Sequence, residues 1–204
     1  MSRKLVLTIT LIVLISILGG AFKVQKVEAS GTIYIRANGS VDPPTAPIQR
    51  DGNLYTFTGN LFDAIVIERD NIVVDGAGYT VQGTGSGTGI ALSGRSNVAV
   101  KNTEIKAFTY GILLTHSLGN NINGNKITNN TVGMKLEALS GNNNIYENRI
   151  TDNLYSITLQ GSCNYNNVSK NKIEKNDIGI DLFGSCNYNN VSRNNIANNN
   201  YTGI

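Results

Sequence analysis

The chain has 204 residues, with 17 Lys+Arg, 14 Asp+Glu, 22 Gly, two Cys and no Trp. Four of the basic residues and one acidic residue precede Ser30, so the rest of the chain carries 13 of each sign and no net charge. That balance lacks the cation surplus that a nucleic-acid binder uses to displace counterions from phosphates, or that a polybasic membrane-surface segment needs.

Residues 1–29 read as an export signal. Arg3 and Lys4 form a short positive start, and Leu5 to Leu18 is apolar apart from Thr8, Thr10 and Ser16. Val27-Glu28-Ala29 then supplies small or modest residues at the positions that a cut before Ser30 needs. The alternative is an uncleaved membrane anchor, since Leu5 to Phe22 is 18 residues long and just reaches spanning length. Membrane contact is expected only through this segment. Length allows one domain after it.

Residues 30–68 read as an N-terminal cap. Gly31 to Arg36 alternates like a strand, and Asp42-Pro43-Pro44 with Pro47 marks a stiff turn region. Tyr55 to Phe57 and Ala64 to Ile67 are further strand runs, leading into Ile72-Val73-Val74-Asp75-Gly76. A solenoid needs such a segment to cover its first open edge.

Residues 69–204 repeat. Gly161-Ser-Cys-Asn-Tyr-Asn-Asn-Val-Ser169 recurs identically as Gly184 to Ser192, an offset of 23. Asn-apolar pairs begin at Asn97, Asn121, Asn144, Asn167 and Asn190, with spacings of 24, 23, 23 and 23, and an earlier pair, Asn71-Ile72, lies 26 before Asn97. A second Asn precedes an Ile by two at Asn125/Ile127, Asn148/Ile150, Asn171/Ile173 and Asn194/Ile196. A third run, Gly-apolar-x-apolar, starts at Gly89, Gly111, Gly133 and Gly179, with Ser156 in place of Gly in one copy.

Apolar residues two apart, in short runs bounded by Asn and Gly, indicate strands rather than helices. No unit of this size buries its own apolar side, so the units must stack. The expected fold is all-β, a right-handed parallel β-helix solenoid of about five to six rungs, with identical residues superposed at about 4.8 Å. Asn suits the corners because it tolerates left-handed backbone and forms side-chain ladders. The absent Leu framework disfavours a leucine-rich repeat, and the period is half that of a propeller blade. Asn accounts for 26 of the 108 residues from Asn97 onward, but regularly spaced Ile, Val and Leu oppose a disordered reading. The last rung stops at Gly203-Ile204 without a cap, which suggests a repeat region incomplete at its C-terminus.

The run from Asp70 to Gly83 (DNIVVDGAGYTVQG), followed by Asn-x-Ile and Gly-Ile-x-Leu rungs, resembles the NosD-like right-handed β-helix family of secreted archaeal proteins. The opening GTIYIRANGSVDPPTAPI is similar to the start of such proteins. The resemblance implies export to the cell surface or medium. It covers carbohydrate-binding proteins, sugar hydrolases and a periplasmic copper-binding accessory protein, so it does not fix the chemistry.

Copper would need soft ligands, and after Ser30 these are His116, Met134, Cys163 and Cys186 alone. Met134 falls in an inward column and reads as core filler; His116 reads as a turn residue. Cys163 and Cys186 share one column of adjacent rungs, which fits stacked free thiols, a disulfide, or a two-thiolate site. No metal site and no cofactor is assigned. A lyase, hydrolase or epimerase would need paired acids. Among the outward residues Ala91, Leu113, Lys135, Thr158 and Asp181 one is acidic, and Glu137 lies two rungs away, roughly 10 Å by rung spacing. No catalytic residue is assigned.

The expected role is an exported carbohydrate-binding or structural module, with polysaccharide at the cell surface as partner. The candidate binding residues are Tyr165, Tyr188, Phe183 and Asp181. Aromatic rings pack on sugar C–H groups while neighbouring amides bond hydroxyls. The bland reading is that the two tyrosines only stack to hold their corner. Lys170, Lys172 and Lys175 are the densest basic group, and Glu174 and Asp177 dilute it. Sequons at Asn38, Asn129, Asn167, Asn190 and Asn200 are possible glycan acceptors, though an Asn-rich repeat creates them by chance.

Overall fold

A computed structural model describes residues 31–204; the expected signal segment lies outside them. The described residues form 22 strands and no helix. The strands fall into three sheets. Sheet A has eight strands, sheet B eight and sheet C six. One full turn runs through Tyr155–Gln160 in sheet A, Asn167–Ser169 in sheet B and Lys172–Glu174 in sheet C. Each strand pairs in parallel with its copy one turn on, as Ile157 with Ile180, Val168 with Val191 and Ile173 with Ile196. The molecule is therefore a parallel β-helix.

The period-two pattern builds the core directly. Sheet A sends Ile90, Ile112, Met134, Ile157 and Ile180 inward in one stack, and Leu92, Leu114, Leu136 and Leu159 in another. Sheet B adds Val74, Val100, Ile122, Ile145 and Val168; sheet C adds Val81, Ile105, Ile127, Ile150 and Ile173. All are almost fully buried. Each such side chain contributes roughly 1.5–3 kcal/mol by leaving water, and no single rung collects enough of them to fold alone.

The earlier strands occupy the same stacks. Thr32–Ile35 pairs in parallel with Ala64–Ile67, and Leu54–Phe57 with Ile72–Asp75. Two strands that the sequence pattern does not announce, Val41–Asp42 and Ile48–Asp51, pair antiparallel at the outer edges of sheets A and B.

The register differs from expectation at one point. Asn97-Val98 does not sit beneath Asn121-Ile122. Val100 pairs with Ile122 and Ala99 with Asn121, so this rung is 22 residues long. Val98 lies under Asn120 instead, and its N–H donates to Asn120 Oδ1 at 2.9 Å. The cause is local: Val98 and Val100 are both inward, so two alignments share the same apolar period. The older step is as read, since Ile72 pairs with Val98.

Asparagine does two different jobs at the corners. A left-handed residue (φ near +55°) opens each bend, and a buried Asn follows it. Asn142-Asn143, Glu147-Asn148 and Asp152-Asn153 are the three bends of one rung. These residues belong to three ladders, Asn120-143-166-189, Asn125-148-171-194 and Asn130-153-176-199, buried except for the half-buried last member of each. At these bends the left-handed positions carry Asn, Gly, Ala, Glu, Lys, Asp, Tyr or Arg, and Ala, His, Leu and Ser occupy other left-handed positions. It is therefore the ladder position that demands Asn, because one amide can donate and accept along the axis.

Candidate functional site

The sheet A–B corner positions the tyrosines. Its left-handed column runs Asn97, Gly119, Asn142, Tyr165, Tyr188, all with positive φ. Glycine and asparagine are the residues that enter this region at low cost. Tyr165 and Tyr188 enter it at φ 58° and 57°. Their rings stack in parallel, with centroids 5.1 Å apart and planes 9° apart. They are 59% and 77% exposed.

Sheet B continues from that corner as a polar face. Asn121, Asn144, Asn167 and Asn190 point outward in one column. Each amide donates to the Oδ1 one rung earlier, at 3.4 Å from Asn144, 2.7 Å from Asn167 and 2.9 Å from Asn190. The next outward column is Asn123, Tyr146, Ser169, Ser192. The far corner is Glu147, Lys170, Arg193. A shallow groove of ≈ 590 Å³ lies between these columns, lined by Asn144, Tyr146, Asn167, Ser169 and Arg193 among others.

Asp181 and Phe183 lie elsewhere. They are outward residues of sheet A, stacked on Thr158 and Gln160. The four residues singled out in the sequence thus divide between the A–B corner and the sheet A face. On that face Lys135 is ion-paired with Glu137 at 2.8 Å and lies 5.3 Å over the Tyr110 ring. Thr158, directly above Lys135, is buried although its side chain points outward. Asp181 and Glu137 are two rungs apart and in neighbouring columns, with Cα atoms roughly 12 Å apart, which is not the spacing of a retaining pair of glycosidase acids.

The cysteines stack as the repeat requires. Both are free thiols, and the Cys163 N–H donates to Cys186 Sγ at 3.3 Å. Each S–H donates to a carbonyl of its own turn, Gln160 and Phe183, at 3.2 Å. Burial, with the neighbouring Cys186 second, pushes the Cys163 thiol up to about 11. The same column carries Ser117 and Ser140 in earlier rungs.

The soft donors that copper would need do not converge. Met134 is fully buried in the sheet A core. His116 is exposed at a left-handed turn position beside Ser117, two rungs from Cys163. Cys163 is held protonated by burial at neutral pH. Among the described residues no group of three or more His, Cys, Asp or Glu clusters tightly enough to hold a metal. These residues do not fit the copper site that the resemblance implies.

One surface was missed by reading charge along the chain. Lys126, Arg149 and Lys172 are 23 residues apart and superpose in sheet C. The repeat offset, applied to charged residues as it was to apolar ones, would have found them.

Residues 49–203 match the family model described as "Periplasmic copper-binding protein (NosD)". No curated protein and no solved structure gives a significant match to the chain. The family match spans most of the chain and the β-helix supplies its architecture: this protein is a member of the NosD family.

Proposed function

We propose that the protein works outside the cytoplasm as a carbohydrate-binding β-helix, with the sheet B face and its tyrosine corner as the glycan surface. The family's periplasmic description supports the location. The observation that carries the binding reading is the pair Tyr165 and Tyr188. They are exposed aromatic rings at backbone positions where earlier rungs use Gly119 and Asn142. The left-handed backbone is common to the corners, so what sets these two positions apart is the exposed ring itself. Beside the rings run outward amides and hydroxyls at a regular rung spacing, which matches the hydroxyls of an extended saccharide lying along the axis.

The test is affinity electrophoresis of the protein through gels carrying neutral polysaccharides or a cell-surface polysaccharide extract. The double variant Tyr165→Asn/Tyr188→Asn suits the backbone better than the native residues. It should bind at least about tenfold more weakly, equivalent to about 1.4 kcal/mol. Unchanged retardation of the double variant, or no retardation of the native protein by any polysaccharide, overturns the reading.

A further inference from the structure

Like charges directly opposite one another across paired strands destabilise a sheet. Sheet C nevertheless superposes Lys126, Arg149 and Lys172 in register, at about 4.8 Å per rung. Thr80 and Glu104 precede them in the column and Asn195 follows, so uncharged residues are compatible with the position. At the adjoining B–C corner Lys170 and Arg193 stack in consecutive rungs. All five cations are exposed.

Three carboxylates reach this strip. Lys126 pairs with Glu104 at 2.7 Å, Lys172 with Glu174 at 3.1 Å and Lys170 with Glu147 at 3.5 Å. Arg149 and Arg193 have no carboxylate partner among the described residues. The Lys170–Glu147 pair is exposed on both sides and weak. Glu104 and Glu174 are half-buried partners of Lys126 and Lys172, so Arg149 and Arg193 are the cations that an incoming anion meets unpaired. The chain from Ser30 onward is neutral overall. The cation excess here is therefore a local concentration, balanced by an opposite excess on the rest of the surface.

We propose that this edge of sheet C is a second binding surface, for a linear glycan that carries a carboxylate or sulfate on its repeating units. The ladder presents one cation per rung along the helix axis, a spacing close to one pyranose unit. Arg149 sits at its middle, with a planar guanidinium free to take a carboxylate or sulfate through two parallel N–H bonds. A single-stranded nucleic acid is a poorer match. Its non-specific binders add aromatic platforms for the bases, and neither cationic column contains an aromatic residue. The strip adjoins the sheet B groove at Lys170 and Arg193, but Arg149 and Lys172 lie outside that groove, so variants at those two positions test this surface alone.

The full-length protein would be titrated at low salt with polygalacturonate, with dextran sulfate, with neutral dextran and with oligo(dT). Arg149→Gln/Lys172→Gln should bind both anionic glycans at least about tenfold more weakly, with a flatter dependence on salt. The polygalacturonate and dextran sulfate arms show which acid group is preferred. Arg50→Gln/Arg69→Gln removes the same charge from the N-terminal strands, away from sheet C, and should leave binding within twofold. Thermal melts should show the ladder variant within a few degrees of the native protein, since relieved repulsion offsets the lost Lys172–Glu174 pair. Equal losses in the two charge variants would reduce the effect to net charge and overturn the proposal. So would absent binding to both polyanions, or tighter binding of oligo(dT) than of either.

Discussion

The backbone N–H and the side-chain amide of Asn125 both donate to Oδ1 of Asn148, at 3.0 and 3.1 Å. Asn148 repeats the arrangement toward Asn171 and also donates to the carbonyls of Ile122 and Tyr146. Asn148→Ala leaves these buried groups unpaired, and each orphan costs about 1–3 kcal/mol. The expected loss is about 3–5 kcal/mol, read from the urea midpoint. A loss below about 1 kcal/mol would mean that water replaces the amide and the ladder is not a stability element.

Tyr188→Asn separates the two readings of the tyrosine pair. Asn enters the left-handed region more easily, while the ring stack with Tyr165 is worth about 0.5–1.5 kcal/mol. If the pair serves binding, the stability read from the urea midpoint should be unchanged or higher than native. A drop matching loss of the full stacking energy would mark the tyrosines as corner stabilisers.

In sheet A, a Cβ added at Gly111 would lie 2.5 Å from the carbonyl oxygen of Gly133. That atom is backbone and cannot move aside, so Gly111→Ala should cost about 2 kcal/mol or more. One copy of this column already carries a side chain, Ser156, whose buried hydroxyl has no partner among the described residues. Ser156→Ala keeps the Cβ and removes the orphan hydroxyl, and should stabilise the protein by about 1 kcal/mol. Opposite signs for the two alanine variants in one denaturation series are the expected outcome.

The Cys163 thiol is raised from 9.0 to about 11, first by burial and then by Cys186. The folded protein therefore holds this proton more tightly than the unfolded chain. The stability it contributes is complete below pH 9 and is lost as pH rises to about 11. Cys163→Ser, matching Ser117 and Ser140 below it, should flatten the decline in melting temperature across that window. With disulfide-exchange reagent at pH 8, Cys186 should react first and Cys163 only on denaturation. Failure of both to react in denaturant without reductant would show them oxidised to a disulfide.

The inward columns were legible because residues such as Ile127, Ile150 and Ile173 carry both the strand period and the repeat period. The exposed columns carry only the repeat period, so Lys126, Arg149 and Lys172 look scattered along the chain although they touch in space. Asn97 misled for a different reason. Its neighbours Val98 and Val100 fit the core in two registers, and only the shortened rung, visible in the Val100–Ile122 pair, decides between them. The repeat offset places Tyr165 and Tyr188 in one column, but their left-handed backbone is not legible, since a tyrosine in sequence says nothing of φ.

The ladders also bear on how such a chain changes length. In each ladder an Asn donates through Nδ2 to Oδ1 of the next turn and accepts at its own Oδ1 from the previous one, so every copy makes the same bonds. A duplicated stretch of 23 residues, cut anywhere and inserted in frame, meets on both sides the partners it already had. The identical segments at Gly161 and Gly184 look like the trace of one such event. Extension or contraction by whole turns would leave the inward stacks intact while adding or removing outward Tyr, Asn, Lys and Arg in step. Reach along a polymer would then be inherited as a copy number rather than discovered residue by residue.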